Sequence, residues 1–150
     1  GKPLPIYGDG LQRRDWLYVS DHCDAIRRML EAGAPGATYN VGGWNEMTNL
    51  DLVRGLCWRL DELRPRADGK PYADQLVLVP DRAGHDRRYA IDPSKVEAEL
   101  NWLPRETWES GLEKTIRWYA ENPSWIERAR SGAYRDYYTQ QYGAEAGVGS

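Results

Sequence analysis

The most constraining feature of this sequence is a strand–loop–helix passage running from Leu76 to Leu100. Leu76-Val77-Leu78-Val79 is a short, β-branched apolar run closed by Pro80, which reads as a buried strand. At the far end Asp92 is placed to cap a helix whose first position Pro93 suits, and the helical pattern fades near Leu100. Between them, Asp81-Arg82-Ala83-Gly84-His85-Asp86-Arg87-Arg88 holds three arginines, a histidine and a glycine, with no large apolar residue before Tyr89. A loop leaving a strand end is where α/β proteins place ligand-contacting groups. Arg82, Arg87 and Arg88 offer forked donors to a phosphate or carboxylate, and Gly84 permits close backbone approach. Two readings stand on the residues alone: an anion site, or a solvated loop whose arginines pair with Asp81, Asp86 and Asp92.

The rest of the chain alternates extended and helical patterns. Leu4 to Tyr7 and Trp16 to Val19 are expected as short extended segments around the Gly8-Asp9-Gly10 turn. Ser20 is the expected cap of a helix with Asp21 and Asp24 in its first turn and Ile26, Met29, Leu30 and Gly33 at helical spacing. Ala37 to Val41 reads as a strand ending at Gly42-Gly43. Thr48 followed by Asp51 has capping-box spacing, and Val53, Leu56, Cys57, Leu60 and Leu63 give the next helix its stripe. Residues 64–75 read as a long loop. A later helix opens after Thr107 with Trp108, Leu112, Thr115, Ile116 and Tyr119 on one face; Asn122-Pro123 breaks it, and a short helical piece runs to about Arg130. From Ser131 the sequence is aromatic-rich, and it ends in a tail of small residues. The alternation indicates an α/β class, with too few strands for a complete doubly wound sheet.

With 150 residues and a formal net charge of -3, the chain lacks the basic footprint of a nucleic-acid binder or a polybasic membrane patch. No apolar run approaches the ~20 residues needed to span a bilayer. Cys23 and Cys57 have no metal-type spacing and are expected to be buried free thiols of a reducing cytosol. Phenylalanine is absent while Trp and Tyr are abundant, so the aromatic groups carry polar handles suited to half-wet pockets.

Asp81-Arg82-Ala83-Gly84-His85-Asp86-Arg87-Arg88-Tyr89-Ala90-Ile91-Asp92 resembles a stretch of the dTDP-glucose 4,6-dehydratases, extended short-chain dehydrogenase/reductase enzymes acting on sugar nucleotides. Leu4-Pro5-Ile6-Tyr7-Gly8-Asp9-Gly10, Arg14-Asp15-Trp16-Leu17-Tyr18-Val19, Thr38-Tyr39-Asn40-Val41-Gly42-Gly43, Asn49-Leu50-Asp51, Trp102-Leu103-Pro104 and Ser131-Gly132-Ala133-Tyr134 resemble the same family in the same order. The likeness runs from Gly1 to about Tyr142. Ala83 departs from it, standing where the family usually has proline. The resemblance implies an NAD-dependent reaction in which the sugar is oxidised at C4, water is lost across C5 and C6, and hydride returns to C6. It implies that Pro5, Ile6 and Tyr7 line a thymine pocket and that Arg14 and Arg82 bind the diphosphate. It further implies that Asn49 and Tyr142 contact the nucleotide, over which the loop of Asp81, Arg82, Ala83, Gly84 and His85 closes.

The family's other chemistry is missing here. Gly8-Asp9-Gly10 fails the dinucleotide fingerprint at its third glycine, and no tyrosine has a lysine four residues on. The sole adjacent Asp-Glu pair, Asp61-Glu62, lacks the family's preceding Thr and falls on the outer side of a helix pattern. The expectation is therefore an incomplete Rossmann-type fold plus a small α/β substrate domain, from the C-terminal portion of a longer, cytoplasmic, homodimeric enzyme. Residues 1–45 would return to the nucleotide-binding domain, 46–142 would bind the sugar nucleotide, and 143–150 would form a loose tail. No catalytic, cofactor-binding or metal-binding residue is expected in this chain; NAD would be held mostly upstream, and dTDP-glucose or a related nucleotide-sugar would be the ligand. Alternatives are a UDP-sugar 4-epimerase or decarboxylase, and a non-catalytic sugar-nucleotide-binding module.

Overall fold

The computed structural model describes residues 2–132. Tyr142 and the tail expected beyond Ser131 lie outside the described residues. Four strands and five helices are described: β1 (Leu4–Tyr7), β2 (Arg13–Asp15), α1 (Val19–Ala32), β3 (Glu46–Thr48), α2 (Asn49–Leu63), β4 (Leu76–Val79), α3 (Ser94–Leu100), α4 (Trp108–Glu121) and α5 (Pro123–Ser131). The chain divides into two compact units between Glu113 and Lys114, inside α4.

The first unit holds two small sheets. β1 and β4 pair in parallel, Leu4 opposite Leu76 through Tyr7 opposite Val79, and β2 and β3 pair antiparallel, Arg13 opposite Thr48 through Asp15 opposite Glu46. β1 and β4 lie where the apolar runs put them, but β4 is not buried. Val77 is 41 % and Leu78 65 % exposed, because a sheet of only two strands leaves faces and an edge uncovered. The strand expected at Trp16–Val19 lies instead at Arg13–Asp15, where the ladder partner β3 is found. α1 then starts earlier than expected, with Tyr18 at the cap position and Ser20 inside the first turn. Buried Asp21 accepts from the Glu106 N–H at 2.9 Å, which ties the start of α1 to the segment before α4.

Ala37–Val41 forms no strand, having no ladder partner among the described residues. Its apolar side chains are used nonetheless: Tyr39 and Val41, with Leu17 and Met29, pack on a core of Ala25, Val96, Leu100 and Trp102. That core joins α1 to α3. The Ile26, Met29 and Leu30 stripe is split by it, because Met29 reaches the core while Ile26 is 45 % and Leu30 85 % exposed. Of the two cysteines, Cys57 is buried and Cys23 is exposed.

Of the expected helix caps, Thr48 occupies the cap position. Thr48 Oγ1 accepts from the Asp51 N–H at 3.0 Å and donates to the Asp51 carboxylate at 2.7 Å, so the acid answers the hydroxyl, where a capping box has it accept from the backbone N–H of the cap residue. Asp92 Oδ1 accepts from the Ser94 N–H at 2.9 Å, but the helix begins one residue later than expected, with Pro93 at the cap position and Ser94 first, and α3 ends at Asn101 in the left-handed region. Glycine makes room at α4, where a Cβ at Gly111 would lie 3.2 Å from Tyr18 Cβ. The expected 64–75 loop contains one 3₁₀ turn, Tyr72–Gln75, pinned by the Tyr72 N–H on the Asp61 carboxylate, which is partly buried rather than on an outer face. In the second unit Trp118, Tyr119 and Trp125 meet edge-on with ring centroids 5.0–6.0 Å apart.

Candidate functional site

The 81–92 loop is folded back along β2 rather than spread into solvent. The Arg13 N–H donates to the Arg87 carbonyl at 2.8 Å and the Tyr89 N–H to the Arg13 carbonyl at 3.0 Å, so residues 87–89 run beside β2. This backbone pairing brings five arginines of β2 and the loop together: Arg13, Arg14, Arg82, Arg87 and Arg88.

Three of the five are paired with two carboxylates. Glu46 on β3 accepts from Arg13 at 2.7 Å and from both ends of the Arg88 fork at 2.7 Å. Arg87 holds both oxygens of Asp9, at 2.9 and 3.0 Å. These partners differ from the Asp81, Asp86 and Asp92 considered from the sequence. The other two arginines are not spent in this way. Arg14 donates to the carbonyls of Arg13 and Asp86, and its guanidinium lies 4.6 Å above the Tyr89 ring. The Arg82 guanidinium has no ion-pair partner among the described residues; only its backbone N–H is engaged, by Asp81 at 2.9 Å. Both guanidiniums lie close enough to Tyr89 to pull its phenol pKa down, against the stronger upward push of its hydrogen bond to Asp86.

Asp81 orders the start of the loop. Its carboxylate accepts from the Gln12 amide at 3.1 Å, the Arg82 N–H at 2.9 Å and His85 Nδ1 at 2.7 Å. The His85 hydrogen bond chiefly holds the carboxyl below its usual range, with the Arg82 N–H and Gln12 adding to it. The His85 side chain is 5 % exposed, and its ring stands edge-on to Tyr7 of β1 at 6.4 Å. Pro5, Ile6 and Tyr7 thus lie on the strand beside the one that delivers the loop, with Ile6 buried and Tyr7 half exposed. Asn49 is the first residue of α2, and its N–H donates to the Gln12 carbonyl at 2.9 Å. The expected site residues from Pro5 to His85 therefore fall on β1, β2, the start of α2 and one loop.

Gln12, Glu46 and Tyr89 were not singled out from the sequence. Glu46 was hidden because a carboxylate on a three-residue strand has no signature until Arg13 and Arg88 are placed beside it. The Gly8-Asp9-Gly10 turn does not fit a dinucleotide pyrophosphate. The space a Gly8 side chain would fill is taken by the Asp81 carboxylate, 2.8 Å from the Cβ position, and that at Gly10 by Ile6 and Leu50. Negative charge packed into the turn excludes an anion there.

Glu46 gives the site a pH signature. Arg88 foremost, then Arg13, lower its pKa from 4.5 to about 2. A carboxyl whose folded pKa is depressed contributes stability above its unfolded value and loses it as pH falls through the folded one. The thermal midpoint is therefore expected to drop between pH 4.5 and about 2. Glu46→Gln should flatten part of that decline, and an unchanged slope would show that the Arg13–Glu46–Arg88 group is not formed.

The chain matches the GDP-mannose 4,6 dehydratase family over residues 1–115, and it belongs to that family. The dTDP-glucose 4,6-dehydratase of Xanthomonas campestris pv. campestris is 54 % identical over 135 residues, which are 90 % of this chain and 38 % of that protein. The dTDP-glucose 4,6-dehydratase of Salmonella typhimurium is 52 % identical over 142 residues, or 95 % of this chain and 39 % of that protein. The crystal structure of a Bacillus anthracis dTDP-glucose 4,6-dehydratase in complex with NAD superposes with a TM-score of 0.71 at 45 % identity, over 83 % of this chain and 36 % of that one. A UDP-glucose 4-epimerase of Thermotoga maritima, solved with UDP-glucose, superposes with a TM-score of 0.65 at 28 % identity, over 79 % of this chain and 35 % of that one. The chain thus spans less than two fifths of the length of these relatives. The α/β class is borne out, shared with NAD- and nucleotide-sugar-binding dehydratases and epimerases. Among the described residues no helix is long and apolar enough to cross a membrane.

Proposed function

We propose that this chain is the nucleotide-sugar-binding part of an NAD-dependent dTDP-glucose 4,6-dehydratase, the enzyme that converts dTDP-glucose to dTDP-4-keto-6-deoxyglucose and water. The observation that carries the reading is the division of labour among the arginines. Arg13, Arg87 and Arg88 are bound by carboxylates, whereas Arg14 and Arg82 are not. A diphosphate needs forked donors whose charge no carboxylate has met, and Arg14, held only by backbone carbonyls, and Arg82 are the two arginines that the resemblance assigns to it. Tyr7, Pro5 and Ile6 take the thymine, Asn49 and His85 the rest of the nucleotide, and Tyr142 completes the set. The chain's part in catalysis is to hold the glucosyl carbon in place; hydride chemistry belongs to NAD and to groups elsewhere in the full enzyme. The enzyme acts as a homodimer in the cytosol, where Cys23 and Cys57 stay as free thiols. Residues 1–45 return to its nucleotide-binding domain and 46–142 form the substrate domain.

Calorimetric titration of the full-length protein with dTDP tests the grip. Arg82→Ala is expected to weaken binding by about 1.5–3 kcal/mol, and Arg82→Lys to recover only part of it. Unchanged affinity in the alanine variant refutes the assignment, and equal affinity for UDP and dTDP points to an epimerase of the kind solved with UDP-glucose. A second expectation concerns the 150-residue chain by itself. Incubated with NAD+ and dTDP-glucose, it should form no 4-keto-6-deoxy product, and detectable product would overturn the allotment of catalytic groups.

A further inference from the structure

Gln12 is the largest of the fully buried side chains, at 2 % exposure, and it is polar. Only half of this amide is satisfied: its Oε1 is buried with no hydrogen-bond partner among the described residues, so the contact made by its other end has to offset that cost. Its Nε2 donates to Asp81 Oδ2 across 69 positions of sequence. The orientation of the amide is settled by chemistry, because an ionised carboxylate can only accept, so the nitrogen must face it. The Gln12 backbone carbonyl accepts the first N–H of α2, from Asn49, and the Gly10 backbone carbonyl accepts the second, from Leu50 at 2.9 Å. The segment 10–12 is therefore held rigidly against a helix start, and its one buried polar side chain points to the loop.

On the other side of that contact, the Asp81 carboxylate is inserted into the turn. Gly8 has φ +60° and no side chain, and a Cβ there would lie 2.8 Å from Asp81 Oδ2. The Gly8 N–H is bonded to the Val79 carbonyl at 2.9 Å, which fixes the turn to the end of β4 just before the loop. Inside this slot Asp81 makes two further contacts, to the Arg82 N–H and to His85 Nδ1. A single carboxylate thus sets the backbone beneath Arg82 and the tautomer and ring position of His85, and Gln12 is the side chain that holds that carboxylate from within the protein.

The geometry points to Gln12 as the positioning residue of the nucleotide loop: it touches no ligand, but through Asp81 it orders Arg82 and His85 and so sets affinity for the nucleotide. This rests on the nucleotide-binding reading above. The amide is suited to the task because it is a donor with no proton to lose, so the contact holds at any pH at which Asp81 is ionised.

That property yields a test which a merely structural role would fail. Gln12→Glu places a second carboxylate against Asp81; the two cannot readily both ionise, and as acid supplies a proton the pair shares it and the donor is restored. In the full-length protein, dTDP affinity of Gln12→Glu should be about 20-fold or more below wild type near pH 8 and within about threefold near pH 5.5. Gln12→Met, with similar length and no donor, should lose about 5–20-fold at both pH values. Hydrogen exchange of the 81–92 segment, measured by mass spectrometry without nucleotide, should rise and fall with the same pattern. If Gln12→Glu does not fold near pH 8, the methionine variant decides. Wild-type affinity and loop exchange in Gln12→Met, or a Gln12→Glu defect equal at both pH values, overturns the proposal. Loop exchange that follows the pattern in a protein that does not bind dTDP upholds the positioning role and removes the nucleotide reading instead.

Discussion

Trp102→Ala is expected to destabilise the first unit by about 3–5 kcal/mol, the cost of emptying a large aromatic from a packed core. Trp102 is 3 % exposed and shares its cluster with Ala25, Val96 and Leu100. α1 and α3 meet through this cluster, and Leu17, Met29, Tyr39 and Val41 close over it. Several of those neighbours sit on irregular backbone, so their positions depend on the indole more than on any ladder. Against a total stability of about 5–15 kcal/mol for a domain, the loss is a large fraction. Adjacent Leu103 is 59 % exposed, and Leu103→Ala serves as the control, expected to stay within about 1 kcal/mol. Urea denaturation followed by circular dichroism measures both. A Trp102→Ala cost below about 1 kcal/mol would mean that the cluster is not the core of this unit.

What the sequence revealed and what it hid follow one physical division. β1, β4, the Thr48 cap and the start of α4 were legible because their signals are local: an apolar run beside a proline, or a hydroxyl three residues before an acid. The strand misplaced onto Trp16–Val19 and the one misassigned at Ala37–Val41 have the right side chains. A strand is made by its neighbour, however, and the neighbour of the first region pairs with Arg13–Asp15 while the second has none among the described residues. Burial of β4 was misjudged for the same reason, since hydrophobicity states a preference for cover and not its presence. In the site, family likeness singled out the loop and the two arginines that no carboxylate pairs with among the described residues. Composition did not separate Arg82 from Arg87 or Arg88, because the carboxylates that distinguish them, Asp9 and Glu46, are 78 and 42 positions from their arginines. Gln12 was illegible on the same ground, a lone amide with meaning only once Asp81 lies against it.

The 150-residue chain, purified by itself, is expected to self-associate through the outer face of α1. Val19, Cys23, Ile26 and Leu30 follow at spacings of four, three and four residues and so share one side of the helix. All four are exposed, Val19 at 65 % and Leu30 at 85 %, while Ala25 and Met29, round the flank of the helix, are occupied by the core. An amphipathic helix needs one apolar stripe; α1 has two, and only one is used within the described residues. On the proposed division, the second belongs against the nucleotide-binding domain of the full enzyme, relatives of which are spanned to only 38–39 % of their length by this chain. At about 25 cal/mol per Å² of apolar surface, a few hundred Å² left bare amounts to several kcal/mol, enough to drive association at micromolar concentration. Light scattering should show dimers or larger species, and Leu30→Glu with Ile26→Lys should return the chain to a monomer without lowering its melting temperature. The full-length protein gives the opposite expectation: there the same pair of substitutions buries two charges at a packed face and should be strongly destabilising. A monodisperse isolated chain, together with a full-length protein indifferent to the pair, would show that the stripe is a solvent face and that residues 1–45 do not return to a second domain.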